Sequence, residues 1–276
     1  MTSRIMTSRS VVRSQGFTLI ELLVVISIIA LLIALLLPAL GKAKDNALMM
    51  QSLSQKRQLT LGWATFPNDH DGGLVGAFTN GKAGGGWVNA VPGATPSSIP
   101  RSERIAAIQD GLLWEYLQSI DVYKTPNDPR QFTMRSDSIS NFLNGSDSLA
   151  WNPDNIKEAF PVKKIDELQK PSQTMVFLEE LDPRGDDNQG SWVMGFTRRG
   201  RGTWIDWPGN LFLNGNVQSF ADGHAVFYKF KSMDTATIDR FNAPIGGGTA
   251  DYDYYLSIYQ PHFTPSKGRS GRRGPR

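Results

Sequence analysis

The chain has 276 residues, a net charge of +3 and no cysteine. Disulfides, thiolate metal sites and cysteine nucleophiles are thereby excluded, so a domain outside the cytoplasm must draw its stability from packing, hydrogen bonds or a bound ion. The positive balance sits at the ends. Residues 1–16 carry Arg4, Arg9 and Arg13, residues 266–276 carry Lys267, Arg269, Arg272, Arg273 and Arg276, and neither end has an acid. Of 29 lysines and arginines these eight lie outside the body, which keeps 21 against 26 acids, a balance of −5. An acidic body lacks the basic surface that neutralises phosphates, so no nucleic-acid partner is expected.

The first element is an apolar helix. Residues 22–37 read LLVVISIIALLIALLL, with Ser27 the only polar side chain. Phe17 to Leu40 is 24 residues, about 36 Å as a helix, against a hydrocarbon core of about 30 Å. No second run of this kind occurs, which predicts a single crossing. Three arginines precede the run and Lys42 and Lys44 follow it, a small bias toward a cytoplasmic N-terminus. A secretory signal peptide is one reading, with Ala39-Leu40-Gly41 as a small-residue cleavage site. Glu21 speaks against it. A carboxylate inside lipid costs about 2.5–3.5 kcal/mol on insertion scales and needs a partner or a task.

Gly16-Phe17-Thr18-Leu19-Ile20-Glu21 followed by the apolar run resembles the cleavage and methylation motif of type IV prepilins and type II secretion pseudopilins. The resemblance implies cleavage between Gly16 and Phe17 by a prepilin peptidase on the cytoplasmic side, and N-methylation of the new Phe17 amine. It implies that Glu21 meets the N-terminal ammonium of a neighbouring subunit, an ion pair that offsets the desolvation of a lone carboxylate. Pro38 falls where such helices usually carry a proline, which removes a helical hydrogen bond and can kink the helix. Met1-Thr2-Ser3-Arg4 recurs as Met6-Thr7-Ser8-Arg9, so a start at Met6 gives a shorter leader.

From Ala39 to about Trp63, Leu40, Ala43, Ala47, Met50 and Leu53 recur near helical spacing among polar residues, which predicts an amphipathic continuation of the helix. Pro67-Asn68-Asp69-His70-Asp71-Gly72-Gly73 stops it. Residues 72–100, rich in glycine, proline and small residues, read as loop with short strands. Residues 102–120 read as a helix with Ser102 as cap and Gly111 as a break. Residues 174–179 (TMVFLE) form a strand-like apolar run. Asp222-Gly223 between Val217–Ala221 and His224–Phe230 predicts a hairpin with a two-residue type I′ turn. Residues 266–276 read as a disordered tail. GLLWEYLQSIDVYKTPNDPR (111–130) and FADGHAVFYKF (220–230) resemble segments of large planctomycete-type pseudopilin-like proteins, which often have a cysteine where this chain has Thr125.

Candidate chemistry is sparse. His70, His224 and His262 lie far apart and outside any HExxH pattern. G-x-S-x-G is absent, and Gly84-Gly85-Gly86 and Gly246-Gly247-Gly248 lack the lysine of a phosphate loop. Glu179, Glu180, Asp182, Asp186 and Asp187 cluster around Pro183 and Gly185. Hard oxygens on a loop suit calcium, with Glu180, Asp182, Asp186 and Asp187 as the candidate ligands and a solvated turn as the competing reading. Asn68–Asp71 and Asp251 with Asp253 are weaker candidates. The seven tryptophans fit a glycan face less well than a core.

The expected fold is α+β and pilin-like: a long N-terminal helix on a small antiparallel sheet, with large loop-rich insertions. The expected organisation is a leader at 1–16, a transmembrane assembly helix at 17–40, an amphipathic continuation at 41–63, an extracytoplasmic globular domain at 64–265 and a basic tail at 266–276. The resemblance implies a structural subunit and not an enzyme. It would sit single-pass in a bacterial inner membrane with a periplasmic domain, and assemble with itself and other pseudopilins into a secretion filament. The alternative is a membrane-anchored envelope binding protein that uses the prepilin route for export.

Overall fold

The computed structural model describes residues 18–79, 85–90, 99–145, 161–181, 190–197, 200–212, 214–238, 243–246 and 249–259. The expected leader at 1–16 and the expected tail at 266–276 lie outside them. The chain forms two compact units, residues 1–46 and 47–276.

Helix α1 runs from Leu19 to Thr65. Leucine, isoleucine and alanine fill its first part, and none of its most apolar window is buried. Pro38 lies inside α1 and does not end it. The helix ends where Pro67 disfavours the α conformation at the residue before it, and the chain tightens into a 3₁₀ turn at Phe66–Asp69.

The second unit begins within α1. Ser52, Leu53, Gln55, Lys56, Leu59, Thr60, Gly62 and Trp63 are buried. Of the expected stripe only Leu53 is; Ala43, Ala47 and Met50 are exposed. The buried face is instead half polar, for reasons that the sheet supplies.

Helix α2 (Arg101–Gln109) and the short α3 (Trp114–Leu117) follow. The expected break falls at Gly111, where a Cβ would stand 2.5 Å from Trp87 O and Val88 Cα. Ser102 is not the cap: Pro100 holds that position and Ser102 is inside the helix.

Strands β1 (Asp137–Ser140), β2 (Met175–Glu179), β3 (Ser191–Trp192), β4 (Phe196–Thr197), β5 (Gly200–Arg201), β6 (Gly215–Phe220) and β7 (Ala225–Lys229) come next. Five of them form one sheet in the order β3-β1-β2-β6-β7, and β4 and β5 pair separately. The sheet is mixed rather than antiparallel, because β3 runs parallel to β1. Strand β2 is buried along its whole length, as its apolar run requires. The hairpin between β6 and β7 forms at the expected place with a different turn. Gly223 N donates to Phe220 O at 2.8 Å and Phe220 N to His224 O at 2.9 Å. Only Gly223 takes a positive φ, 92°, so Asp222 escapes the left-handed strain a type I′ turn would impose on it. The loop is a three-residue turn with glycine in the left-handed position.

Helices α4 (Met233–Ala236) and α5 (Thr249–Tyr259) complete the fold. The second part of α1 meets one face of the sheet: Thr60 Oγ1 donates to Ser219 Oγ at 2.6 Å, and Leu53 packs in a cluster with Val217. Helix α5 meets the other face. Gln218, pointing opposite to its neighbours Val217 and Ser219, donates to Tyr254, whose ring stacks on Tyr228 at 3.7 Å. Tyr252 and Tyr255 close on Trp204 and Trp192 at 5.1 and 5.5 Å. This is the pilin-like α+β arrangement, a long helix laid on a small sheet with loop-rich segments around it.

Candidate functional site

At its start α1 is locked by a reciprocal cap. Thr18 N and Thr18 Oγ1 donate to Glu21 Oε2 at 2.8 and 2.7 Å, and Glu21 N donates to Thr18 Oγ1 at 3.3 Å. This is a capping box, which satisfies donors that a helix start otherwise leaves bare. The Glu21 carboxylate thus has a partner on its own helix. Ser27 Oγ donates to Leu23 O at 2.7 Å, so the one hydroxyl of the apolar run is satisfied internally. The large apolar side chains from Leu19 to Leu37 are all exposed. Gly16 and Phe17 lie outside the described residues.

The second unit holds a buried ionic seam between α1 and the sheet. Asp137 and Glu179 are directly opposed across β1 and β2, so their side chains leave the same face. Lys56 descends onto them from α1. Its Nζ contacts Asp137 Oδ1 directly and stands 3.6 Å from Glu179 Oε1, with all three side chains essentially fully buried. Glu179 is well supplied: Oε1 accepts from Ser52 Oγ at 2.5 Å and Thr125 Oγ1 at 3.0 Å, and Oε2 accepts from Val217 N at 3.0 Å. Asp137 Oδ2 has no hydrogen-bond partner among the described residues. Burial pushes the Asp137 carboxyl up to about 7; Lys56 pulls it down and Glu179 adds to the rise. Sequence reading did not single out Lys56 or Asp137. The available signal was Ser52, Lys56, Leu59 and Trp63 on one helical face.

The residues expected to bind calcium divide. Asp182, Asp186 and Asp187 lie outside the described residues. Glu180 is buried and accepts from Ser138 Oγ, while Glu179 closes β2 and faces α1. Asp251 is wholly buried and accepts from four protein donors: Tyr228 OH, Lys231 N, Ser232 N and Thr235 Oγ1, at 2.7–3.0 Å. Asp69 accepts from Tyr116 OH at 2.9 Å. Among the described residues no three histidine or acidic side chains are grouped as a metal site.

His70 stacks on Phe66 at 3.7 Å and His224 on Phe220 at 4.3 Å, each beside its own turn. Trp63, Trp87, Trp192, Trp204 and Trp207 are buried, as a core requires, and present no glycan face. A cleft of about 390 Å³ opens beside α1, lined by Gln51, Gln55, Arg101, Asp121, Lys124 and Thr133 among others.

An exposed apolar helix at the N-terminus and a helix-on-sheet domain behind it define a membrane-capable, pilin-like protein. Residues 12–37 match the family model described as the prokaryotic N-terminal methylation motif. With the long apolar helix, that match makes the N-terminal region similar to that of type IV prepilin-like proteins. The matched span contains Gly16, Phe17 and Glu21. Comparison with curated proteins gives no match, and comparison with solved structures gives none.

Proposed function

We propose that the chain is a pseudopilin-type structural subunit, cleaved between Gly16 and Phe17, methylated on Phe17 and assembled through α1 into a type II secretion pseudopilus or a related filament. One observation carries this reading: the methylation motif at 12–37 covers the start of α1, where the large apolar side chains from Leu19 to Leu37 are all exposed. Such a surface needs lipid or other helices to cover it. In this account residues 1–16 are the leader and 17–40 the assembly helix in the inner membrane. The N-terminus starts in the cytoplasm, and the domain beyond residue 64 lies in the periplasm. The partners are prepilin peptidase, further copies of the chain and other pseudopilins. Glu21 acts twice, first as the helix cap and then as the partner of a neighbour's Phe17 ammonium, while Pro38 lets the helix adjust on assembly.

The second reading, an anchored binding protein, draws on the polar cleft beside α1. Crosslinking in cells separates the two. Ladders of the chain with itself or with other pseudopilins are expected; a protein that stays monomeric under crosslinking in its membrane would favour the binding reading.

A further inference from the structure

The seam between α1 and the sheet contains the reactants of a condensation. An amine, a carboxyl group and a second carboxylate lie together in a core without access to solvent. Three observations distinguish it from an ordinary salt bridge.

The first is register. Asp137 and Glu179 are cross-strand partners, so the backbone fixes both carboxyls on one face, and α1 places Lys56 Nζ against Asp137 and 3.6 Å from Glu179. The second is the unequal treatment of the two acids. Glu179 accepts hydrogen bonds on both oxygens, which orients it, whereas Asp137 Oδ2 has no hydrogen-bond partner among the described residues. An ionised Asp137 would leave that oxygen bare in the core, a state that costs free energy. The third is the dryness of the site. Burial penalises the ammonium–carboxylate pair relative to its neutral tautomer, amine plus carboxylic acid, and that tautomer is the reactive one. The rise of the Asp137 carboxyl to about 7 agrees with this.

We propose that Lys56 and Asp137 are joined by an intramolecular amide bond, formed without a separate enzyme and with Glu179 as the proton shuttle. The neutral Lys56 amine attacks Asp137 Cγ, and the Nζ–Cγ bond forms. Glu179 takes one proton from Nζ and returns it to the Asp137 hydroxyl. The Cγ–O bond breaks, the oxygen leaves as one water, and Glu179 is regenerated as a carboxylate. No oxidant or cofactor is consumed. The amide also removes the unpartnered oxygen and the two opposite charges of the pair, which is why the core favours it over the ions. The product ties the second part of α1 to β1, in a chain with no cysteine to provide such a staple.

The test is peptide mapping by mass spectrometry of the full-length protein, extracted from its membrane in detergent, denatured and digested with trypsin. One branched peptide containing both Lys56 and Asp137 is expected, lighter by one water than its two linear parts, with no cleavage after Lys56. Linear peptides carrying unmodified Lys56 and unmodified Asp137 would overturn the bond. Glu179→Gln should lose the branched peptide; its persistence at the wild-type yield would overturn the shuttle role. The wild-type map stands alone if that variant does not fold.

Discussion

Asp137 and Glu179 face each other across neighbouring antiparallel strands, and Lys56 of α1, from the other side of the interface, reaches both. Like charges directly opposed in a sheet repel. Helix α1 brings the Lys56 nitrogen to both carboxyls. Formation of this face of the sheet and docking of α1 are therefore one event.

Lys56→Met should be severely destabilising. It leaves two opposed carboxyl groups in the core without the Lys56 nitrogen that meets both, and removing one member of such a buried pair costs about 3–5 kcal/mol. The urea midpoint of the full-length protein in detergent checks this; an unchanged midpoint would contradict it.

Asp128 gives the pH dependence. Its Oδ1 accepts from Arg130 N and Nε, and its Oδ2 from Arg130 Nη2 and Ser136 Oγ at 2.7 and 2.6 Å. Desolvation pushes its carboxyl up, but the Arg130 and Ser136 hydrogen bonds and the Arg130 charge outweigh it and hold the carboxyl below the usual range. A folded-state pKa below the unfolded one means that the unfolded chain binds the proton more readily. The stabilisation is therefore complete above about pH 4 and fades as the pH falls further. Asp128→Asn should be less stable at neutral pH and lose less stability on acidification, as read from melting temperatures across that range.

Gly111→Ala should destabilise the domain by about 1–3 kcal/mol, the range for forcing extra atoms into a packed site. Its Cβ would meet backbone atoms of Trp87 and Val88 at 2.5 Å, and backbone cannot step aside as a flexible side chain can. Thermal unfolding measures the effect.

Glu21 separates capping from assembly. Glutamine can serve in a capping box but carries no charge. Glu21→Gln should insert into the membrane and keep the helix start, yet assemble as poorly as Glu21→Ala. Normal filaments from Glu21→Gln would mean that the carboxylate's charge is not needed.

Much of the fold was legible along the chain. The apolar run, the strand at 175–179, the hairpin at Asp222-Gly223 and the break at Gly111 each rest on local chemistry, and each formed where that chemistry put it. The failures are non-local. Lys56 reads as a solvated helix residue until Asp137 and Glu179 are brought beneath it, so the amphipathic stripe was placed on the wrong side of α1. Strand β3 is only Ser191–Trp192, too short to show a period, and its parallel pairing could not be foreseen. Helix α5 was missed although Tyr252, Tyr255, Leu256 and Tyr259 fall at helical spacing, because its aromatic residues suit strands equally well. The N-terminal motif was legible because its residues lie within one segment, and residues 12–37 match the methylation-motif model.

The most direct test of the central claim is the mature N-terminus, read by mass spectrometry on protein extracted from its native membrane. A chain beginning at N-methylated Phe17 is predicted. A chain beginning after Gly41, with the apolar helix removed, would contradict the account.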